Sequence, residues 1–186
     1  MNFKIAIDNS YTPVDQHDLA WINTFTHPDK DCPLGDVISV PTIRASMGVS
    51  DNMDIGGYWT TAPGANYGAV GGEIKYAFLQ ESEKFPTAAV RASVSMFTGI
   101  PDFNMNIYSV DLMASKKITI LTPYIGFKTS LVIGTETTSK VDLAEERLSI
   151  TQGYAGVVYS IWALNLAAEY NVSSVNTFAF TIGFNL

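Results

Sequence analysis

The chain has 186 residues, which suits one domain, and only 16% of them are charged, against about 25% in ordinary soluble domains. A formal net charge of −7 excludes the basic footprint that nucleic-acid binding needs, so no nucleic-acid partner is expected. Cys32 is the only cysteine, which excludes an internal disulfide framework and a cysteine-built zinc site.

The chain opens with "MNFKIAIDNS", which has no long apolar run and no A-x-A site, so no signal peptide is expected here. Residues 1–17 are expected to form a tail or an extra strand, with residues 18–186 as a single β-barrel domain. "DLAWINTFT" (18–26) alternates Trp21, Asn23 and Phe25 with Ile22, Thr24 and Thr26, and is the best candidate for an early strand. "HPDKDCPLGDV" would follow it as a loop.

From residue 38 onward, apolar residues recur at every second position between regularly spaced turn signals. Nine strands are expected, at 38–48, 53–61, 67–79, 86–98, 104–115, 118–133, 148–160, 163–171 and 177–186. With 18–26 they make ten; eight is the alternative if an edge segment is left out. "SKVDLAEERL" (139–148) is the one segment that suits a helical turn. The longest apolar stretch, "AGVVYSIWALNLAA" (155–168), is too short for a membrane helix and is interrupted by Ser160 and Asn165.

The connections fall into two sets. "VSDN" (49–52), "QESEKF" (80–85), "KK" (116–117) and "IW" (161–162) would share one end of a meander. "APGAN" (62–66), "GIPDF" (99–103), "GTETTSKVDLAEER" (134–147) and "VSSVN" (172–176) would share the other. Short turns at one end and longer loops at the other are a feature of transmembrane barrels.

Each strand has two chemically distinct faces. One carries Val70, Ile74, Phe78, Val90, Val94, Leu121, Ile125, Phe127, Leu164 and Leu166, and in the last strand Phe178, Phe180, Ile182 and Phe184. These are expected to face lipid. The opposite face is built mostly of Gly, Ala, Ser and Thr, with four cations and four carboxylates among them: Arg44, Lys75, Arg91 and Lys128, with Asp54, Glu73, Asp111 and Glu169. Small residues suit a crowded concave interior, so these eight charges are expected to line a lumen. Tyrosine, tryptophan and phenylalanine residues lie mostly near strand ends, among them Tyr58, Trp59, Tyr124, Tyr154 and Trp162, and suggest two aromatic girdles.

"LTPYIGFKTSL" (121–131), "WALNLAAEYN" (162–171) and the closing "TFAFTIGFNL" (177–186) resemble the small outer-membrane β-barrels of Gram-negative bacteria, over residues 38–186. The family's terminal strand ends in an aromatic residue; Phe180 and Phe184 match that pattern, while the last residue is Leu186. The resemblance implies an up-and-down antiparallel transmembrane barrel in the bacterial outer membrane, in contact with membrane lipid.

Chemistry of the catalytic kind is not expected. "HPDKD" places His27 near Asp29 and Asp31, and Asp102, Asp142 and Glu145 fall in loops, but no motif ties them into an acid–base or metal-ligand set. Serines occur without a nucleophile-elbow setting, and "GAVGGE" (68–73) has no helix after it to bind phosphate. No enzyme, cofactor or metal is expected. The expected role is a narrow channel or a structural membrane barrel, with loop 134–147 available to other envelope or extracellular proteins. A soluble lipocalin-like ligand-binding barrel and a non-conducting adhesion barrel are the alternatives. Wide porins need about 16 strands.

Overall fold

The computed structural model describes residues 3–14, 37–61, 67–100, 103–137 and 145–186. Ten strands are present among them: β1 (Phe3–Pro13), β2 (Val37–Ser50), β3 (Met53–Thr61), β4 (Gly68–Leu79), β5 (Thr87–Thr98), β6 (Phe103–Ser115), β7 (Leu121–Glu136), β8 (Glu146–Ile161), β9 (Leu164–Val172) and β10 (Thr177–Asn185). Each pairs antiparallel with its sequence neighbours, and β1 pairs with β10, so the sheet closes into an up-and-down barrel with no free edge.

The nine strands expected from residue 38 onward all form. The tenth is Phe3–Pro13, whose Ile7 faces Ile43 on one side and Ile182 on the other. Segment 18–26 lies outside the described residues, and the position between β10 and β2 is filled by β1. The loop expected at 134–147 is shorter than its composition suggests. β7 continues to Glu136 and β8 begins at Glu146, so the cross-strand pair Gly134–Glu146 replaces the start of the expected loop. Glu146–Leu148, read as part of a helical turn, is strand, because its backbone pairs with Val132–Gly134.

The connections sort by end as expected. The turns around 51–52, 80–86, 116–120 and 162–163 lie at one end, here the turn end, together with Phe3 and Leu186, whose backbones bond to each other. The strand ends flanking 14–36, 62–67, 99–102, 137–145 and 173–176 lie at the opposite, loop end. In the tight β8–β9 turn, Trp162 adopts φ 53° and its side chain is fully exposed. A left-handed conformation costs a residue with a Cβ about 1 kcal/mol, so Trp162→Gly is expected to raise stability by about that amount in urea titrations of the folded barrel.

The two faces separate as the pattern requires, with the apolar one outward. Ile74, Phe127 and Phe180 are 54%, 55% and 53% exposed, whereas Glu73 and Asp111 on the opposite face are shielded. Val70, Phe78, Val94, Leu121, Ile125, Leu166, Phe178, Ile182 and Phe184 are likewise exposed. Val90 and Leu164 are half-buried but share the outer face, since their direct cross-strand partners Leu112 and Phe184 are exposed. The core of a soluble barrel would have these side chains inside. Here the fully buried residues are few, and the most buried large side chain is a carboxylate, Asp111.

The outer apolar surface is a belt with a defined upper edge. On β4 it runs from Val70 to Phe78. That span is roughly 27 Å along the strand at about 3.4 Å per residue, or roughly 21 Å along the barrel axis at a tilt near 40°. Towards the loop end several outward positions are polar: Asn9 and Ser39, hydrogen-bonded at 2.9 Å, then Asn106, Thr129 and Thr151, while Leu131, Tyr170 and Phe178 stay apolar and exposed. β7 and β8 continue past this edge, carrying Glu136, Glu146 and Arg147 beyond the belt.

Candidate functional site: the charged interior

Inward side chains from nearly every strand meet in one layer. Arg44 on β2 donates from Nε to Asp8 of β1 at 3.2 Å and from Nη1 to Glu73 of β4 at 2.5 Å. The same Glu73 oxygen lies 3.6 Å from Arg91 Nη1 on β5. Arg91 donates to Asp111 on β6, whose other oxygen accepts from the Tyr154 hydroxyl on β8 at 2.5 Å. Thr181 on β10 donates to Asp8 at 2.7 Å. The polar chain thus runs from β10 through β1, β2, β4, β5 and β6 to β8. On the remaining arc, Glu169 of β9 accepts from Tyr124 of β7 at 2.8 Å and from Asn171 at 2.9 Å, and Gln152 of β8 donates to Asn171 at 3.1 Å.

Of the eight expected lumen charges, Arg44, Glu73, Arg91, Asp111 and Glu169 belong to this layer. Asp54 and Lys75 form a separate ion pair at 2.7 Å nearer the turn end. Lys128 forms no ion pair among the described residues. Five of the eight, continued by Gln152, are successive cross-strand partners: Asp54, Lys75, Arg91, Asp111, Lys128 and Gln152 on β3 to β8. Because strands in a barrel are tilted, such a row climbs the wall. It starts beside the β2–β3 turn and ends in the middle of β8.

Asp8 is a layer residue that the sequence does not single out, because it stands among residues 1–17, which suit a tail as well as a strand. Tyr58 and Tyr154 are a second correction: their positions near strand ends suggest an aromatic girdle, but both point inward, as does Tyr124, which shares its face with Gly126 and Lys128. Each sits directly across from a glycine: Tyr58 from Gly71, Tyr154 from Gly126 and Tyr124 from Gly156. A Cβ added at those glycines would meet the tyrosine ring at 2.4, 2.1 and 2.5 Å. The missing side chain is what lets each ring lie flat against the wall and aim its hydroxyl into the lumen. Arg44 in turn lies over the Tyr58 ring, 5.2 Å from its centroid.

The layer separates two polar cavities. One, of about 300 Å³, opens towards the loop end and is lined by Lys128, Gln152, Asn171 and Ser173 among others. The other, of about 550 Å³, lies towards the turn end against Lys4, Lys75 and Thr122. Arg44, Arg91, Tyr154 and Glu169 line both.

His17, His27, Asp29, Asp31, Asp102 and Asp142 lie outside the described residues. Glu145 is engaged by Arg147, which donates to it at 2.6 Å on the exposed loop end. Among the described residues, no cluster of three or more His, Cys, Asp or Glu side chains converges on a possible metal position.

No protein-family model matches the chain. No curated protein matches it either. Among solved structures, it is similar to the KdgM porin in complex with disordered oligogalacturonate, at 8% identity and a TM-score of 0.48, over 97% of this chain and 98% of that one. It is also similar to the N-terminal β-barrel domain of Pseudomonas aeruginosa OprF, at 12% identity and a TM-score of 0.42, over 98% and 97%. A third similarity is to Neisserial surface protein A, at 13% identity and a TM-score of 0.38, over 99% and 96%.

Proposed function

We propose that the chain is a non-enzymatic barrel of the bacterial outer membrane, enclosing a narrow polar passage constricted by the Arg44–Glu73–Arg91–Asp111 layer. The observation that carries the membrane reading is the outward belt of Phe, Leu, Ile and Val around a charged, hydrogen-bonded interior. In water such a surface would promote aggregation, since soluble proteins rarely expose apolar patches beyond a few hundred Å². In a bilayer it meets hydrocarbon. Closure matters equally, because an open edge would leave backbone groups unbonded in lipid. Ten strands with an interior mostly filled by side chains support a narrow passage, not a wide pore.

The membrane reading predicts heat-modifiable migration. Refolded in detergent or vesicles, the unheated chain should run at a different apparent mass from the boiled chain on mild SDS gels. Trp59, on the outer face, should be quenched by lipid-embedded quenchers. A chain that stays soluble and monomeric without detergent, with Trp59 unquenched, would refute the proposal in favour of a soluble ligand-binding barrel. Planar-bilayer recording then tests the passage: small conductance steps are expected, and their absence would leave a structural or adhesive barrel. The β7–β8 strands rising beyond the belt support a further role in holding loop 134–147 clear of the lipid for another envelope or extracellular protein.

A further inference from the structure

The ion pairs of the layer leave one cation of the loop-end wall unpaired among the described residues. Every carboxylate of the layer has a cation or a hydrogen-bond donor on at least one oxygen. Asp8 takes Arg44 and Thr181, and Asp111 takes Arg91 and Tyr154. Glu73 takes Arg44 and Arg91, and Glu169 takes Tyr124 and Asn171. Among the described residues lining the loop-end cavity, Lys128 is the cation without an ion pair. Asp111 is its direct cross-strand neighbour, but Asp111 is turned to Arg91 and Tyr154 and is only 2% exposed. On its other side stands Gln152, whose amide nitrogen donates to Asn171. Lys128 lines the loop-end cavity of about 300 Å³, with Arg44, Arg91 and one carboxylate, Glu169, at the same wall and the hydroxyls of Ser10, Ser173 and Thr177 around it; Glu169 is already engaged by Tyr124 and Asn171. That volume is large enough for a small hydrated anion. Three cations and one carboxylate line this cavity, so its wall carries a positive surplus, although the layer as a whole holds four carboxylates to two guanidinium groups.

We infer that Lys128 is the charged residue of a binding site for small oxyanions or carboxylates entering from the loop end, and that it gives the passage a preference for anions. An ammonium group with three donors and no fixed partner suits an ion that must both bind and leave. The guanidinium groups nearby add positive potential but are held by carboxylates, so they contribute field more than contacts. The lumenal position separates this site from the outer face, where lipid headgroups would bind.

The inference rests on the proposed barrel in a bilayer, but its first test does not require conduction. Inorganic phosphate is titrated into detergent-refolded protein by calorimetry at constant ionic strength, for the wild type, Lys128→Gln and Lys128→Arg, each first checked for heat-modifiable migration. Saturable binding is expected for the wild type, an affinity lower by about tenfold or more in K128Q, and binding largely retained in K128R. No saturable binding by the wild type, or equal binding by a folded K128Q, would overturn the inference. In bilayers under a salt gradient, the K128Q reversal potential should move towards the cation side; an unchanged potential in a conducting K128Q barrel would overturn the selectivity claim. A wild type that binds phosphate but never conducts would instead sink the passage and leave the site standing.

Discussion

Replacing Gly126 with alanine is expected to lower the unfolding free energy of the barrel by about 3–5 kcal/mol, although it adds a single methyl group. The new Cβ would lie 2.1 Å from Cζ and 2.2 Å from the hydroxyl oxygen of Tyr154. A ring backed by the barrel wall cannot yield that distance by a small rotation, so it must leave its niche. Two costs then add. Overpacking and rotamer strain contribute about 1–3 kcal/mol. Loss of the Tyr154–Asp111 hydrogen bond adds a similar amount, because a bond to a charged group in a shielded site is worth about 1.5–3 kcal/mol. Asp111 would keep only Arg91. Chemical denaturation of the refolded barrel, followed by intrinsic fluorescence, measures the change. Two comparisons make the cause identifiable. Gly153→Ala, whose added Cβ meets nothing within 4 Å, should be neutral or slightly stabilising. In a Tyr154→Ala background, Gly126→Ala should cost less than about 1 kcal/mol, since the ring it displaces is gone. An equal cost in both backgrounds would show that the tyrosine niche is not what Gly126 provides.

That glycine also shows where reading a sequence stops. The strands from residue 38 onward are legible because alternation is a local signal: Val70, Ile74 and Phe78 against Glu73 and Lys75 can be sorted with no knowledge of neighbours. The charged positions of the interior are legible for the same reason. Which charges touch is not, because contact depends on register between strands. Tyr154 and Gly126 stand 28 residues apart in sequence, and only the β7–β8 pairing makes them face each other. The inward position of Tyr124 is legible from parity alone, since it alternates with Ile125 and shares the face that carries Lys128. Strand β1 was obscured by the belt itself. Phe3, Ile5 and Ile7 alternate well, but the next outward positions, Asn9 and Tyr11, lie near or above the belt's polar edge, so the pattern fades midway. The β7–β8 extension was hidden similarly: above the belt, both faces meet water, and Gly134–Glu136 and Glu146–Leu148 read as loop or helix.

Removing the Arg44 side chain should have the largest effect on the passage. Its guanidinium connects Asp8, on the strand that closes the barrel, to Glu73 two strands further round, across the Tyr58 ring. Arg44→Ala would leave Asp8 with Thr181 alone and Glu73 with Arg91 at 3.6 Å, two carboxylates facing each other over a shielded gap. Breaking a shielded pair from one side costs about 3–5 kcal/mol when burial is complete. Arg44 is 29% exposed, so about 2–3 kcal/mol is the expected loss after that screening. The functional consequence runs the other way. Arg44 lines both cavities, so its removal joins them on the β1–β2 side and replaces a cation with net negative potential. Single-channel conductance should rise, and selectivity should shift towards cations. Arg44→Lys separates the two effects: it keeps the charge and shortens the reach, so selectivity should stay near that of the wild type while stability falls, because one ammonium cannot span both carboxylates as the guanidinium fork does. If Arg44→Ala folds and conducts with unchanged step size and reversal potential, the layer is not the constriction. The passage must then be sought elsewhere in the barrel.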